Sequence, residues 1–81
     1  MMKDTDIGDN IRHYRLRGNM TQTALARRVG VSRVTIFRYE HGLSVPDVLT
    51  ANALAKALGV TLAQLWRNRN VGLDIKHGPI H

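Results

Sequence analysis

The sequence predicts a compact all-α domain of five short helices. Three observations predict this fold class: glycines close segments of helical apolar periodicity, residues with capping side chains open the next segment, and the connections are short. The chain has 81 residues, which is the size of one domain. The four glycines in this pattern are Gly18, Gly30, Gly42 and Gly59.

Each helix is predicted from a capping residue and the segment that follows it. The expected caps are Asp6, Thr21, Ser32, Asp47 and Thr61, and Gln64 completes the pattern of a capping box with Thr61. The expected helices run from residue 7 to about 17, from 22 to 29, from 33 to 41, from 48 to 58, and from 62 onward. The side chains expected to point inward from the first four are Ile7, Ile11, Tyr14, Leu25, Ala26, Val29, Ile36, Tyr39, Val48, Ala51, Leu54, Ala55 and Leu58.

The last residues depart from the helical pattern. Val71, Leu73 and Ile75 alternate with other residues, which is the period of a strand. Gly78-Pro79 then ends any regular structure. Two interpretations stay open, a short C-terminal dimerisation strand and a frayed tail. The predicted organisation is a domain at residues 1–70 and a tail at residues 71–81.

The distribution of charge favours a polyanionic partner. The net charge is +6, and nine of the twelve cations are arginine, whose planar guanidinium pairs bidentately with phosphate and guanine. Seven of these arginines lie between Asn10 and Tyr39, a stretch without a single acid. A solvated basic surface is the alternative, so the charge alone does not decide for nucleic acid.

Several function classes find no support in the composition. The chain has no cysteine, its apolar runs are too short for a membrane helix, and its N-terminus lacks the basic-then-apolar layout of a signal peptide. The four histidines lack metal-ligand spacing, and no acid–base or nucleophile–base pair stands out. We therefore expect no enzymatic activity, no cofactor, no metal, no small-molecule ligand and no membrane partner. The expected location is the cytoplasm, in association with the nucleoid.

Residues 21–42 form the unit that predicts a function. Two short helices are joined by Gly30-Val31-Ser32, a turn too short for antiparallel packing, so the second helix must leave at a steep angle. Ala26 provides a small side chain where the two backbones approach each other. Gly30 can adopt the left-handed conformation that costs other residues about 1 kcal/mol or more. These features together predict a helix-turn-helix.

The chain also resembles a known family along most of its length. The residues that carry the resemblance are Met20-Thr21-Gln22, Leu25-Ala26, Val29-Gly30-Val31-Ser32, Thr35-Ile36, Glu40, Gly42, Pro46 and the segment 54–60. They are similar to the Cro/phage-repressor (XRE-like) helix-turn-helix family. The resemblance implies that the helix after Ser32 is the recognition helix, and that dimers bind two DNA half-sites about one helical turn apart.

Helical geometry assigns the candidate base-contacting residues. With Ile36 and Tyr39 turned inward, Arg33, Val34, Phe37 and Arg38 turn outward. Arginine can donate to guanine O6 and N7, and apolar side chains can contact a thymine methyl. A protein contact surface is the alternative for Val34 and Phe37, because exposed apolar side chains of this kind call for a partner. At the position of Phe37 the chain departs from the family, which usually has a polar residue there.

Further roles follow from the resemblance and from position. The resemblance implies that Gln22 holds a phosphate at a helix N-terminus, and that Arg15 and Glu40 form an internal ion pair between the first and third helices. Thr21, Thr35, His41 and Arg17 are the further candidates for phosphate contacts. For Arg27 and Arg28, a position on a solvated face and a contact with the DNA backbone are equally open interpretations.

The function predicted from these residues is regulation of transcription. We expect the protein to bind an inverted repeat in double-stranded DNA as a homodimer. Of the two kinds of regulator, we expect a repressor rather than an activator. The candidate dimerisation residues are Trp66, Val71, Leu73 and Ile75. Residues 71–76 of two subunits would pair as antiparallel strands, and their side chains would cover the partner near Trp66. The alternative is a protein-interaction module of the same fold, such as an antitoxin or antirepressor, favoured by Phe37 and Leu49.

Overall fold

A computed structural model describes residues 7–67, and these residues form five α-helices. The helices are α1 Ile7–Arg17, α2 Gln22–Val29, α3 Arg33–Glu40, α4 Val48–Leu58 and α5 Leu62–Trp66. The all-α prediction is confirmed, and α2 has the predicted bounds. The third helix ends one residue earlier than predicted, with His41 as its C-cap. None of the helices in this part of the chain is long and apolar enough to cross a membrane.

Four helices begin at the predicted capping residues. Thr21, Ser32, Asp47 and Thr61 are extended, and the side chain of each accepts a hydrogen bond from the backbone N–H three residues later. This satisfies one of the amide groups that a helix leaves unpaired at its start. Gln64 completes the capping box with Thr61, as predicted. The cap predicted at Asp6 lies outside the described residues.

Two of the four predicted glycines are C-caps themselves, and a third, Gly42, directly follows the C-cap His41 with a left-handed φ of 71°. Gly30 and Gly59 are left-handed C-caps, with φ of 84° and 73°. At the end of α1 the left-handed residue is Asn19, with φ of 57°, rather than Gly18. The amide of Gly18 still donates to the carbonyl of Tyr14, so the helical turn continues one residue further. Asparagine tolerates the left-handed region better than most residues.

The core draws a buried side chain from every helix. The central members are Ile7, Ile11, Leu25, Ala26, Ile36, Tyr39, Leu54, Ala55 and Leu65. Tyr14, Val29 and Leu58 pack against this cluster and are partly buried. Val48 was expected in the core but is 67% exposed. Leu49 beside it is also exposed, so the covered stripe of α4 begins one turn later, at Ala51.

Two contacts fix α1 against the C-terminal parts of the domain. A Cβ atom at Gly8 would lie 2.2 Å from the carbonyl oxygen of Tyr39, so the backbones of α1 and α3 touch without an intervening side chain. The buried amide of Asn10 donates to the carbonyl of Leu65 at 2.8 Å and to that of Arg67 at 2.7 Å. These contacts hold α3 and α5 in place on α1.

Candidate nucleic-acid interface

Helix α3 has a buried face and an exposed face. Ile36 and Tyr39 are buried, as the sequence predicts. The exposed side, which we call the outer face of α3, consists of Arg33, Val34, Phe37 and Arg38. Val34 is 54% exposed and Phe37 is 39% exposed. The outer face therefore presents two cations beside two apolar side chains to solvent.

A buried ion pair joins α1 to the end of α3. The Nε of Arg15 donates to Oε2 of Glu40 at 2.6 Å, and Nη2 donates to Oε1 at 3.0 Å. The third nitrogen, Nη1, donates to the carbonyl of Met20 at 2.9 Å. The two side chains are 10% and 1% exposed, so both charges are compensated where little water reaches them. This pair occupies Arg15 in the structure rather than leaving it for a ligand.

The ion pair is connected to the outer face through Gln22. The amide nitrogen of Gln22 donates to Oε1 of Glu40 at 3.1 Å. Nη1 of Arg33 donates to the amide oxygen of Gln22 at 3.3 Å. Because one end of the amide faces an acceptor and the other faces a donor, the orientation of Gln22 is determined. A chain of hydrogen bonds thus runs from the buried pair to the first cation of the outer face.

The second cation of the outer face is held by the loop that follows α3. The Nε of Arg38 donates to the hydroxyl oxygen of Ser44 at 3.0 Å, and Nη2 donates to the carbonyl of Leu43 at 3.3 Å. Ser44 carried no prediction from the sequence. The spacing Arg-x5-Ser gives no signal by itself, since the contact depends on the path of the loop.

The remaining predicted residues near α3 have local partners. Phe37 lies against His41, with ring centroids 4.1 Å apart and a tilt of 34°. The hydroxyl of Thr35 is hydrogen bonded to that of Ser32 at 3.0 Å, and the hydroxyl of Thr21 accepts from the amide of Ala24. Thr21 and Thr35 therefore belong to the caps of α2 and α3, at the N-terminal ends of these two helices.

A groove of about 630 Å³ runs beside the outer face. The residues that line it are Asp9, Arg12, Arg15, Gln22, Arg33, Phe37, Glu40 and His41. Of the residues predicted to contact DNA, the groove brings together Gln22, Arg33, Phe37 and His41. It also includes the exposed Arg12, to which the sequence assigned no role. Its place one helical turn before Arg15 was the signal that could have identified it.

Other predicted residues lie away from this groove. Arg17 lies on the opposite side of the C-terminal end of α1, in a depression with Gly59 and Val60. Arg27 and Arg28 are exposed on α2. Trp66 is partly buried and packs against the core. Val71, Leu73 and Ile75 lie outside the described residues.

Comparison with known proteins places this architecture in a family. A family model described as a helix-turn-helix matches residues 11–65. An uncharacterized HTH-type transcriptional regulator of Methanocaldococcus jannaschii is 36% identical over 58 residues, which are 72% of this chain and 88% of that protein. The cryptic phage CTXphi transcriptional repressor RstR of Vibrio cholerae is 33% identical over 66 residues, which are 82% of this chain and 60% of that protein.

A solved structure has the same arrangement of helices. The P22 c2 repressor protein, in complex with a synthetic operator, is 34% identical with a TM-score of 0.73, covering 75% of this chain and 92% of that one. The family model covers more than half of the chain and includes both helices and the turn at Gly30. The chain therefore belongs to the Cro/phage-repressor (XRE-like) helix-turn-helix family of DNA-binding transcriptional regulators.

Proposed function

We propose that this protein is a repressor that binds an inverted-repeat operator as a homodimer, with α3 in the major groove. The observation that carries the proposal is the outer face of α3, where Arg33, Val34, Phe37 and Arg38 are all exposed on one helix. An α-helix fits the major groove, where each base pair presents a distinct pattern of donors and acceptors. The name of RstR supports repression, and the operator complex of the P22 protein supports the DNA partner.

The proposed base contacts divide into polar and apolar ones. Arg33 and Arg38 donate to guanine, while Val34 and Phe37 contact thymine methyl groups. The guanidinium groups of Arg33 and Arg38 already donate hydrogen bonds, from Nη1 to Gln22 and from Nε to Ser44, which limits the rotamers that DNA must select. Less side-chain entropy is then lost on binding.

The proposed phosphate contacts surround the base contacts. Gln22, Thr21 and Thr35 stand at the starts of α2 and α3, where free backbone amides and the helix dipole favour an anion. His41 and Arg12 add donors from the groove beside the outer face. A phosphate contact of Arg17 stays a prediction, which requires the DNA backbone to reach the other side of α1.

A single α3 covers only a few base pairs, so the proposed operator requires two copies. Two-fold symmetry of the protein would match the symmetry of an inverted repeat. Pairing of residues 71–76 as antiparallel strands beside Trp66 stays a prediction. Truncation after Asn70 tests it, because the shortened chain should fold but dimerise less and bind the operator more weakly.

A protein-interaction module is the second candidate function. The exposure of Phe37 at 39%, near the exposed Val34, and of Leu49 at 80%, next to the exposed Val48, favours it, since contiguous exposed apolar side chains mark contact sites. The two arginines of the outer face favour DNA, because an uncharged protein partner would leave both cations without a counter-charge.

An electrophoretic mobility-shift experiment distinguishes DNA binding from the protein-interaction function. The probe is DNA from upstream of the protein's own gene, compared with a scrambled duplex of equal length and composition. We expect the full chain to retard the upstream duplex at lower concentration, and the double variant Arg33→Ala/Arg38→Ala to lose this preference. Lys56→Ala, at an exposed position of α4, is the control for loss of charge. Equal retardation of both duplexes by the wild type would contradict operator recognition.

A further inference from the structure

The guanidinium of Arg38 is tied to the loop after α3 along one of its edges. Its Nε donates to the hydroxyl oxygen of Ser44 at 3.0 Å, and its Nη2 donates to the carbonyl of Leu43 at 3.3 Å. The backbone closes the same contact, because the amides of Leu43 and Ser44 donate to the carbonyl of Arg38 at 2.9 and 3.4 Å. The side chain and the loop therefore hold each other in place.

The edge that the loop uses determines which donors of Arg38 remain. A guanidinium carries five N–H groups in one plane, one on Nε and two on each terminal nitrogen. In the part of the chain that the structure describes, the loop faces only the edge formed by Nε and Nη2. The end-on edge, formed by Nη1 and the far side of Nη2, is left for a ligand. This edge can still donate two parallel hydrogen bonds.

The partners of Arg38 are neutral, so its charge is held but not compensated. Arg15 uses the same two nitrogens, Nε and Nη2, to bind the carboxylate of Glu40, and that pair is buried. Arg38 is exposed and donates instead to a hydroxyl and a carbonyl. Its full positive charge is therefore available to an acceptor on DNA, while its rotamer is already restricted.

We propose that Ser44 is a positioning residue that sets the base preference of Arg38. The inference rests on the proposed function, in which Arg38 contacts a guanine from the outer face of α3. Guanine presents O6 and N7 side by side in the major groove, and the end-on edge of a guanidinium matches these two acceptors. Without the Ser44 hydroxyl, the guanidinium can turn its other edge toward the DNA, so contacts with other bases become available.

The test is a double-variant cycle on duplexes that the full wild-type chain selects from a random pool. Ser44→Ala removes the hydroxyl, Ser44→Thr retains it, and each is also combined with Arg38→Ala. Fluorescence anisotropy measures binding to the selected duplex and to duplexes with single base changes. The base pair read by Arg38 is the one at which Arg38→Ala loses preference, and Arg33→Ala identifies its own base pair in the same way.

We expect Ser44→Ala to lower the preference at the Arg38 base pair by about three- to tenfold, the effect of ordering one long side chain. The preference at the Arg33 base pair should stay unchanged, and Ser44→Thr should restore the wild-type preference. In the Arg38→Ala background, Ser44→Ala should have no further effect.

NMR of the free protein checks the hydrogen bond itself. The Nε–H proton of Arg38 should exchange with solvent more slowly in the wild type and in Ser44→Thr than in Ser44→Ala. The same spectra show whether each variant is folded. Equal exchange of this proton in all three proteins would overturn the proposal.

Two results on DNA would also overturn it. One is an unchanged preference at the Arg38 base pair in Ser44→Ala. The other is an equal loss of affinity from Ser44→Ala with and without Arg38, since the hydroxyl would then act on DNA directly. Both differ from failure of the proposed function, in which the wild type selects no duplex at all and the role in base preference falls with it.

Discussion

At the scale of single residues, the two arginines of the outer face are oriented before any ligand arrives. Arg33 donates to Gln22, which in turn donates to the buried Glu40, and Arg38 donates to Ser44 and to the carbonyl of Leu43. A free arginine loses up to about 2 kcal/mol of rotamer entropy when it is fixed. Part of this cost is met within the folded protein, which favours these two side chains for contacts with bases.

We expect Arg33→Ala and Arg38→Ala each to weaken binding to the specific site by about 1–3 kcal/mol and to relax preference at one base pair. The physical reason is the loss of a bidentate contact with guanine. Competition titrations against duplexes with single base changes measure both effects. Lys56→Ala controls for the charge, and it should leave the order of preference unchanged. Unaltered affinity and preference in both arginine variants would contradict the assignment of the outer face.

The sequence predicted which side chains of α3 point outward but not what holds them. The alternation of inward and outward residues follows from helical period alone, so Ile36 and Arg33 could be assigned before the structure was known. The Arg15–Glu40 pair, implied by the family resemblance, is present. Its extension to Gln22 and the contact of Arg38 with Ser44 depend on side-chain rotamers and on the loop path. Residue spacing does not determine either of these.

At the scale of helices, the capping residues set the starts correctly because capping is a local interaction. The side chain and the amide it accepts from are three residues apart, so the sequence contains the whole motif. The close approach of α1 and α3 at Gly8 is different, because it joins residues more than 30 positions apart. A glycine inside a helix is either merely tolerated there or required by a close approach of another backbone, and the sequence alone does not distinguish these two cases.

We expect Gly8→Ala to lower the free energy of unfolding by about 1–3 kcal/mol. A methyl group there would lie 2.2 Å from the carbonyl oxygen of Tyr39, and backbone on both sides leaves no flexible atom to move. Gly18→Ala is the matched control, because its nearest contacts are 3.4 Å away. Urea denaturation measures both variants. Equal stability of Gly8→Ala and the wild type would show that α1 and α3 can separate without cost.

The cap of α4 predicts a dependence of stability on pH. The pKa of Asp47 is lowered below its ordinary value, mainly by the hydrogen bond from the backbone amide of Thr50 and also by the hydrogen bond from the Thr50 side chain. A lowered folded-state pKa contributes stability above the unfolded-state pKa, and this contribution is lost as pH falls through the folded-state value. Asparagine also caps helices but does not titrate.

The comparison of Asp47→Asn with the wild type isolates this one group. We expect the wild type to be the more stable protein at neutral pH, because the carboxylate interacts with the N-terminal dipole of α4. The difference should shrink as the pH falls from the unfolded-state pKa of Asp47 through its lower folded-state value. Urea midpoints at a series of pH values measure it. A difference that is independent of pH would contradict the assigned cause of the pKa shift.

At the scale of the whole molecule, part of the exposed positive charge lies where DNA would bind in the proposed function, at Arg12, Arg33 and Arg38. Six of the seven arginines between residues 10 and 39 are exposed, and the seventh, Arg15, is neutralised by Glu40. The excess of arginine was visible in the sequence, but the sequence did not separate cations that face a ligand from cations that face solvent. The groove beside the outer face makes that separation for Arg12 and Arg33.

We expect binding to weaken steeply with salt, because each neutralised phosphate releases counterions. The logarithm of the association constant should fall by about 0.9 per phosphate for each decade of salt. Arg12→Ala should reduce this slope by about one phosphate, and Lys56→Ala, on α4, should leave it unchanged. Fluorescence anisotropy at a series of salt concentrations measures the slope. A flat response of the wild type would favour the protein-interaction function.

Selection of bound duplexes from a random pool tests the central claim most directly, because it asks whether the full chain distinguishes DNA sequences at all. We predict enrichment of an inverted repeat whose half-site centres are about 34–36 Å apart, one turn of the duplex. The pool selected by Arg33→Ala or Arg38→Ala should lose the preference at one position of each half-site. A wild-type pool without any enriched sequence, at salt where the protein still binds DNA, would contradict the account.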